Sequence, residues 1–234
     1  MHKQLTSEHI RRLPHFHRIG ATFFITTHLY GSIPKEILQK LQAKRDLQIQ
    51  QIKQGNQEGK DKEIYMVRRA YFQKYDAYLD TCQNTPMHLA IPEVAAIVEK
   101  EIRRYDGKYY NLVTFTLMPN HIHLVLDFSI QLKQINPFDL DLYTNVSEVM
   151  RKIKGSSGFY ANKVIENTGN PFWGVSYYDR YIRNYNHFFG AVNYTINNTV
   201  KAKIVTHWMN HRHTWLNPDY RKLELLFPKR PKGL

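Results

Sequence analysis

Apolar and β-branched residues are concentrated in three runs that predict β-strands. The first run covers residues 15–29 and is rich in phenylalanine, isoleucine and threonine. The other two lie within residues 112–126 and are separated by Met118-Pro119-Asn120. Because proline and asparagine favour turns, these two runs are predicted to be neighbouring strands that meet at this point.

Apolar residues at helical spacing predict five helices. Three predicted starts carry residues that favour a helix N-terminus, namely Pro34, Pro92, and either Asn145 or Ser147. Asp106-Gly107 is predicted to end the helix that starts at Pro92. The predicted helices cover about residues 34–51, 61–80, 92–105, 147–160 and 187–202.

The order of these elements, strand, helix, strand, strand and helix, indicates an α+β fold. The nearest pattern is the ferredoxin-like β-α-β-β-α-β arrangement, an antiparallel sheet with helices packed on one face. Residues 41–90 lie between the first strand and the Pro92 helix, and we interpret them as a helical insertion. We expect a single domain over residues 1–234, ending in a polar, aromatic tail at about 208–234.

The composition adds a strong positive charge to this picture. Lys and Arg number 33 against 20 Asp and Glu, a formal net charge of +13. Such an excess is typical of proteins that bind a polyanion, nucleic acid before membrane; a solvated basic surface without a partner is the alternative. No apolar run approaches the roughly 20 residues that span a bilayer. The single cysteine, Cys82, and the polar start of the chain fit a reducing cytoplasm.

The sequence His121-Ile122-His123 begins the last of the predicted strands. Side chains two apart on a strand point to the same face, so this strand presents both imidazoles side by side. Neutral imidazole is a common metal ligand, which makes the pair a candidate metal site. A pair of partly buried histidines hydrogen-bonded to their neighbours is the alternative.

The last predicted helix offers a third polar ligand and a nucleophile. Tyr194 and Asn198 are four residues apart, so they share one face of a helix. An amide oxygen of Asn198 suits Mg²⁺ or Mn²⁺, and the Tyr194 phenol would lie one turn away. The alternative is coincidence, since a chain with 16 tyrosines is expected to contain such a pair by chance.

Several of these residues occur together in an order typical of one protein family. Residues 118–123 are followed by Trp173, by Tyr177-Tyr178-Asp179-Arg180 and by Tyr194-x-x-x-Asn198. This combination resembles the single-tyrosine HUH transposases of the IS200/IS605 type, and among them the REP-associated tyrosine transposases. The resemblance covers roughly residues 13–30 and 90–207. Thr199 stands where that family often has proline, a difference that concerns helix termination more than metal binding.

The resemblance implies an enzyme that nicks and rejoins single-stranded DNA at hairpin-flanked sites. It makes His121 and His123 metal ligands, with Asn198 in the place of the third ligand. It makes Tyr194 the nucleophile, which forms a 5′-phosphotyrosine bond to DNA. Mg²⁺ or Mn²⁺ is the implied cofactor.

The same resemblance bears on partners and location. The expected partner is single-stranded or hairpin DNA, and the protein is expected in the bacterial cytoplasm with the nucleoid, as a monomer or a homodimer. No nucleotide cofactor is expected, because the run at residues 55–60 lacks the spacing of a phosphate-binding P-loop.

Basic and aromatic residues are the candidates for holding the DNA. Cations contact phosphates and aromatic rings stack on bases in single-stranded DNA complexes. The candidate cations are Arg18, Lys152, Lys154, Arg180 and Arg183, and the candidate stacking rings are Trp173 and Tyr178. For the two rings, packing in the core is the alternative.

Two other functions remain open from the sequence. A protein of the same fold could bind hairpin DNA without catalysis, or could hydrolyse phosphodiesters with an activated water. The joint presence of both histidines, Tyr194 and Asn198 favours the transesterase over the binding protein. The hydrolase differs from both in predicting cleavage without a lasting protein–DNA bond.

Overall fold

The computed structural model describes residues 6–11, 13–55, 58–81, 85–134 and 140–220, and gives only the backbone of residues 6–17 and 140. The strands are β1 Thr6–Arg11, β2 Leu13–Arg18, β3 Thr22–His28, β4 Asn111–Leu117, β5 His121–Asp127, β6 Tyr178–Tyr181 and β7 Thr214–Leu216. The helices are α1 Lys35–Gln54, α2 Lys60–Thr81, α3 Pro92–Arg103, α4 Ser129–Gln134, α5 Val146–Val164 and α6 Tyr185–Lys201. In this part of the chain, no helix has the length and apolar character needed to cross a bilayer.

The five predicted helices are confirmed as α1, α2, α3, α5 and α6. The predicted first strand is divided instead into β2 and β3 by a turn at Ile19-Gly20. Gly20 has a φ of 70°, a conformation that glycine adopts without the steric cost of a side chain. The chain therefore reverses here, and β2 pairs with β1 in a separate two-stranded sheet.

Five strands form an antiparallel sheet in the order β6-β3-β5-β4-β7. Helix α3 connects β3 to β4, and α5 lies between β5 and β6, which confirms the predicted ferredoxin-like arrangement. β7 belongs to the segment predicted as a tail, so residues 214–216 extend the sheet. The end of that predicted tail, residues 221–234, lies outside the described residues.

Alternate positions of the central strands divide between the two faces of the sheet. On one face, the β5 side chains of Ile122, Leu124 and Leu126 join a buried core with α3 and α5. Helix α5 begins at a capping box in which Asn145 and Glu148 accept hydrogen bonds from each other's backbone. The helices α3 and α5 therefore share this face of the sheet.

The opposite face of the sheet is also covered, which corrects the prediction of helices on one face only. Phe24 and Val125 on this face pack with Ala191, Val192 and Ile196 of α6. The same face carries the histidines of β5. Because these positions alternate with the apolar core residues, α6 and its neighbours bury a polar layer against the sheet.

The inserted helices α1 and α2 attach to this second face. The Phe72 ring of α2 stacks on Tyr178 of β6, with ring centroids 4.4 Å apart. The Tyr75 hydroxyl lies 2.6 Å from Nδ1 of His28 on β3. The helix pair spans residues 35–81, so it starts slightly earlier than the predicted insertion at 41–90. Its contacts bring the side chains of α2 next to those of α6.

Candidate active site

Two imidazoles stand side by side at the start of β5. His121 and His123 are both buried, and their Nε2 atoms are 3.1 Å apart. Strand alternation places both rings on one face of the sheet, as the sequence predicted, and α6 covers that face. The pair therefore presents two nitrogen atoms to one small volume.

The Nδ1 atoms of the two rings are held by neighbouring polar groups. Asn120 Nδ2 donates to the Leu79 carbonyl at 2.9 Å, which leaves Asn120 Oδ1 to accept from His121 Nδ1 at 2.6 Å. His123 Nδ1 lies 2.7 Å from the Thr26 hydroxyl. With its proton on Nδ1, His121 directs the lone pair of Nε2 towards His123. Such hydrogen bonds are typical of histidines that bind metal ions.

Burial keeps both imidazoles uncharged. It lowers the pKa of His121 well below the usual value, and the neighbouring His123 and His28 lower it further. It also lowers the pKa of His123 to about 3, although Asp80 acts in the opposite direction. Neutral imidazole is the form that coordinates metal ions.

A carboxylate from the inserted helix α2 joins the two histidines. Asp76 Oδ1 lies 3.6 Å from His123 Nε2 and, among the described residues, has no hydrogen-bond partner although it is buried. One ligand atom from each of Asp76, His121 and His123 lies within 4.8 Å of the others. Burial raises the pKa of Asp76, whereas a hydrogen bond from Tyr194 and the charge of Lys201 lower it.

Asn198, the predicted third ligand, lies next to the two histidines, but its amide nitrogen faces them in place of the predicted oxygen. Its Nδ2 contacts His123 Nε2, and its Oδ1 is buried without a hydrogen-bond partner among the described residues. The two ends of an amide have the same shape, so a half turn of the side-chain amide would direct Oδ1 to the imidazoles. Asn198 can therefore add an oxygen ligand to the group.

This set of donors fits a divalent cation. Ligands at right angles around an ion about 2.1 Å away are about 3 Å apart, close to the spacing of the two Nε2 atoms. Two nitrogen lone pairs at 3.1 Å repel each other unless a cation or a proton lies between them. Two buried oxygens, Asp76 Oδ1 and Asn198 Oδ1, lack hydrogen-bond partners in the described part of the chain. A bound cation would satisfy all four atoms.

Tyr194, the predicted nucleophile, contacts this group directly. It is half-buried on α6, and its ring centroid lies 5.4 Å from that of His123. Its hydroxyl donates a hydrogen bond to Asp76 Oδ2. Burial raises the pKa of the Tyr194 phenol, and the charge of Asp76 and this hydrogen bond raise it further. The phenol is therefore protonated at neutral pH, with a carboxylate in contact with its proton.

A second carboxylate and an exposed cation lie next to Asp76. Lys201 Nζ is 2.7 Å from Asp80 Oδ2 and 3.6 Å from Asp76 Oδ2. Its positive charge lowers the pKa of both carboxyl groups, against the effect of burial. Lys201 thus helps to keep Asp76 ionised beside Tyr194.

Comparison with known proteins finds similarity at the level of structure. No family model matches the chain, and no curated protein matches it. A solved structure with the description "Structure of the REP associates tyrosine transposase bound to a REP hairpin" is similar to it, with a TM-score of 0.46 and 14% sequence identity. The similarity covers 97% of this chain and 92% of that chain.

Three of the predicted DNA-binding cations lie together beside β6. The guanidinium carbons of Arg18 and Arg183 lie 4.5 Å and 5.3 Å from the centre of the Tyr181 ring. The guanidinium of Arg180 lies 5.8 Å from the centre of the Phe24 ring, which itself contacts Tyr194. The sequence did not predict that these three cations would be neighbours.

The two predicted lysines lie elsewhere, on α5 against the other face of the sheet. Lys152 Nζ lies 5.8 Å from the centre of the Tyr109 ring. Lys154 Nζ donates to the Gly174 carbonyl at 2.6 Å, and burial lowers its pKa to about 8. We therefore assign Lys154 to holding the segment before β6, in place of the predicted phosphate contact.

The two rings predicted to stack on bases are both engaged within the protein. Trp173 is buried, and its indole nitrogen donates to the Ser157 hydroxyl at 3.0 Å. The Tyr178 ring is covered by Phe72 of the inserted helix. We therefore assign both rings to packing, the alternative that the sequence left open.

Asp76 is the residue of the site that sequence reasoning missed. It lies in the segment interpreted as an insertion, for which the sequence suggested no function. The available signal was the pair Asp76 and Asp80, four apart on a helix and adjacent to the apolar residues Tyr75 and Leu79. Two carboxylates on the buried side of a helix are unusual without a partner.

The buried imidazole of His28, which is hydrogen-bonded to Tyr75, should make stability depend on pH. Burial, with a smaller effect of Lys154, lowers the pKa of His28 to about 4. Below pH 6.5 the unfolded chain takes up a proton that the folded chain does not, so acidification favours unfolding. From pH 7 to pH 5 this contribution is about 2 kcal/mol.

Urea denaturation at the two pH values, in the presence of EDTA, measures this effect. The wild-type protein should lose about 2 kcal/mol more of its free energy of unfolding than His28→Gln over the same interval. Equal pH dependence in the two proteins would refute the assignment.

Proposed function

We propose that this protein cleaves and rejoins single-stranded DNA by metal-dependent transesterification, with Tyr194 as the nucleophile. The sites of action would be flanked by hairpins, as the resemblance of the motifs implies. The single observation that carries the proposal is the hydrogen bond from the Tyr194 hydroxyl to Asp76, a carboxylate shared with two facing imidazoles. A nucleophile, its proton acceptor and a candidate cation site therefore meet at one point.

The two carboxylate oxygens of Asp76 can have different roles. Oδ2 accepts the hydrogen bond from Tyr194, and Oδ1 faces the imidazoles without a hydrogen-bond partner among the described residues. Asp76 can therefore take the phenol proton through one oxygen while the other contributes to the cation site. Since the phenol has a raised pKa, a base in contact with its proton is what the attack requires.

His121, His123 and Asp76 would hold the cation, with Asn198 beside them. Bound there, a divalent ion such as Mg²⁺ or Mn²⁺ would neutralise charge on a non-bridging phosphate oxygen and orient the phosphodiester. The side chains of Asn120 and Thr26 fix the imidazoles through their Nδ1 atoms.

The reaction exchanges one phosphodiester for another. The Tyr194 oxygen bonds to phosphorus, and its proton passes to Asp76. The bond between phosphorus and the DNA 3′-oxygen breaks, and this oxygen leaves as a hydroxyl with a proton from water, to which Asp76 returns the proton it accepted. The product is a 5′-phosphotyrosine. Attack by another DNA 3′-hydroxyl reverses these steps and joins two strands. The energy of the broken bond is kept in the covalent link, so no nucleotide hydrolysis is needed.

The deciding experiment tests for the covalent link. The protein is incubated with Mn²⁺ or Mg²⁺ and a single-stranded hairpin oligonucleotide labelled on the 3′ side of the cleavage site, then denatured in SDS. We expect a labelled adduct that EDTA prevents and that peptide mass spectrometry maps to Tyr194. The 5′ fragment should carry a free 3′-hydroxyl.

The other candidate functions give different results in the same experiment. Cleavage that leaves two free ends without adduct would identify a hydrolase. Retention of the oligonucleotide without cleavage, under native conditions, would identify a hairpin-binding protein without catalysis. An adduct mapped to another residue would refute the role of Tyr194.

A further inference from the structure

Five arginines converge where the inserted helix α2 meets β6. We call this group the arginine cluster; its members are Arg18, Arg68, Arg69, Arg180 and Arg183. Arg69 and Arg183 are exposed, and the other three are half-buried. Two members come from α2, so the cluster forms only when the insertion is docked on the sheet.

Tyr65 of α2 contacts two members of the cluster. The Arg183 guanidinium lies 5.3 Å from the centre of the Tyr65 ring, and Arg180 donates to the Tyr65 hydroxyl at 3.5 Å. The Tyr65 ring stacks on His187, with the planes 4° apart and the centroids 5.4 Å apart. Planar guanidinium groups that lie on rings keep their N–H donors directed outward.

The electrostatics of this region are strongly positive. Burial lowers the pKa of His187, and the charges of Arg180, Arg183 and Arg69 lower it further. Burial also lowers the pKa of Arg68. The charges of Arg45 and Arg183 lower it further, whereas Tyr178 and Asp179 raise it. Neighbouring guanidinium groups repel each other, and an anion bound among them would relieve that repulsion.

The cluster is next to the candidate active site. Arg180 lies on the Phe24 ring, and the same ring is 5.7 Å from both Tyr194 and His123. Along α2, Arg69 precedes Asp76 by seven residues, about 10 Å of helix. A DNA strand with its reacting phosphate at Tyr194 would carry other phosphates at distances of this order.

We propose that the arginine cluster binds the backbone phosphates of single-stranded DNA next to the reacting phosphate. Helix α2 would thus supply both a carboxylate to the site and cations to the strand. The position relative to the reacting phosphate rests on the proposed function. The five guanidinium groups are the reason for proposing a chain of phosphodiesters as the ligand.

The test measures binding without catalysis, in full-length protein that carries Tyr194→Phe. The probe is a fluorescent oligothymidine strand, titrated between 50 and 300 mM NaCl, a range of about sixfold. In the double variant Arg69→Gln/Arg183→Gln, we expect about tenfold weaker binding at the lowest salt. The slope of log Kd against log salt should fall by about 1.4, because each phosphate contact in single strands contributes about 0.7.

Two further variants control for charge and for folding. Lys100→Gln/Lys108→Gln removes the same charge from exposed positions on and just after α3, and should leave the slope unchanged. Arg69→Lys/Arg183→Lys keeps the charge and should restore most of the affinity, since lysine also contacts phosphate.

An unchanged slope in the arginine-to-glutamine variant, or an equal loss in the Lys100/Lys108 control, would overturn the assignment. Tighter binding of an RNA strand than of the DNA strand would also overturn it. These results are independent of the covalent assay. If wild-type protein forms no adduct but the slope falls as expected, the transesterase proposal fails and the phosphate-binding cluster stands.

Discussion

Replacing Tyr194 by phenylalanine is expected to reduce the covalent protein–DNA adduct below detection. Phenylalanine keeps the ring that packs on Phe24 and His123 and removes only the oxygen that is the proposed nucleophile. No phosphodiester exchange can proceed without that oxygen. Binding of the hairpin oligonucleotide should remain within about threefold of wild type, because the cations that are proposed to contact phosphates are unchanged.

Tyr185→Phe is the matched control for this loss. Tyr185 is the first residue of the same helix, is exposed, and packs on Phe189. Its substitution should leave the adduct yield at the wild-type level. Because Tyr194→Phe also removes a hydrogen bond to a buried carboxylate, its free energy of unfolding should fall by about 1–3 kcal/mol. A full adduct yield in Tyr194→Phe would show that another residue is the nucleophile.

Replacing Asp76 by asparagine is expected to slow adduct formation about 1000-fold, because it removes the proposed base for the phenol proton. Asparagine has the same shape as aspartate, so the contact with Tyr194 can persist. The amide is a much weaker base than the carboxylate and does not accept the phenol proton. Mn²⁺ binding measured by calorimetry should also weaken, by at least about tenfold, because a charged ligand is lost. Both losses follow from one side chain that lies in the insertion.

The stability of Asp76→Asn separates function from folding. Burial raises the pKa of Asp76, so its ionised form is disfavoured in the folded protein at neutral pH. A neutral amide avoids this cost, and the free energy of unfolding should rise by about 1 kcal/mol. A variant that is more stable and inactive would identify a carboxylate retained for chemistry.

Asp80→Asn provides the comparison on the same helix. Asp80 lies one turn beyond Asp76 and is hydrogen-bonded to Lys201 at 2.7 Å. The Asp80→Asn substitution removes the same charge but leaves the hydrogen bond of the Tyr194 hydroxyl intact, so the adduct rate should fall less than about tenfold. Equal losses in the two variants would mean that the local charge matters and that Asp76 has no specific role.

The pair of imidazoles was predictable because the geometry involved is local. Alternation along β5 alone brings His121 and His123 to one face, and the helical period alone aligns Tyr194 with Asn198. The packing roles of Trp173 and Tyr178 were not predictable, since an aromatic residue has the same propensities whether its ring faces a ligand or the core.

The positions of Asp76 and of the arginine cluster were also not predictable from the sequence. Their positions depend on how α2 docks, and that docking relies on the contacts of Phe72 with Tyr178 and of Tyr75 with His28. Each contact joins residues between 47 and 106 positions apart in the chain. Local pattern could show that α2 is a helix, but not which side chains it would meet.

The amino-acid order by itself determined the five predicted helices, the neighbouring strands β4 and β5, the ferredoxin-like sequence of elements, the facing histidines and the tyrosine one helical turn from an amide. Those features rest on backbone periodicity and on neighbours within a few residues. Tertiary structure alone decided that α6 covers the second face of the sheet, that an inserted helix supplies Asp76 to Tyr194, and that five arginines collect beside it. The reason is physical: burial and the long-range approach of charges arise only when distant segments pack together.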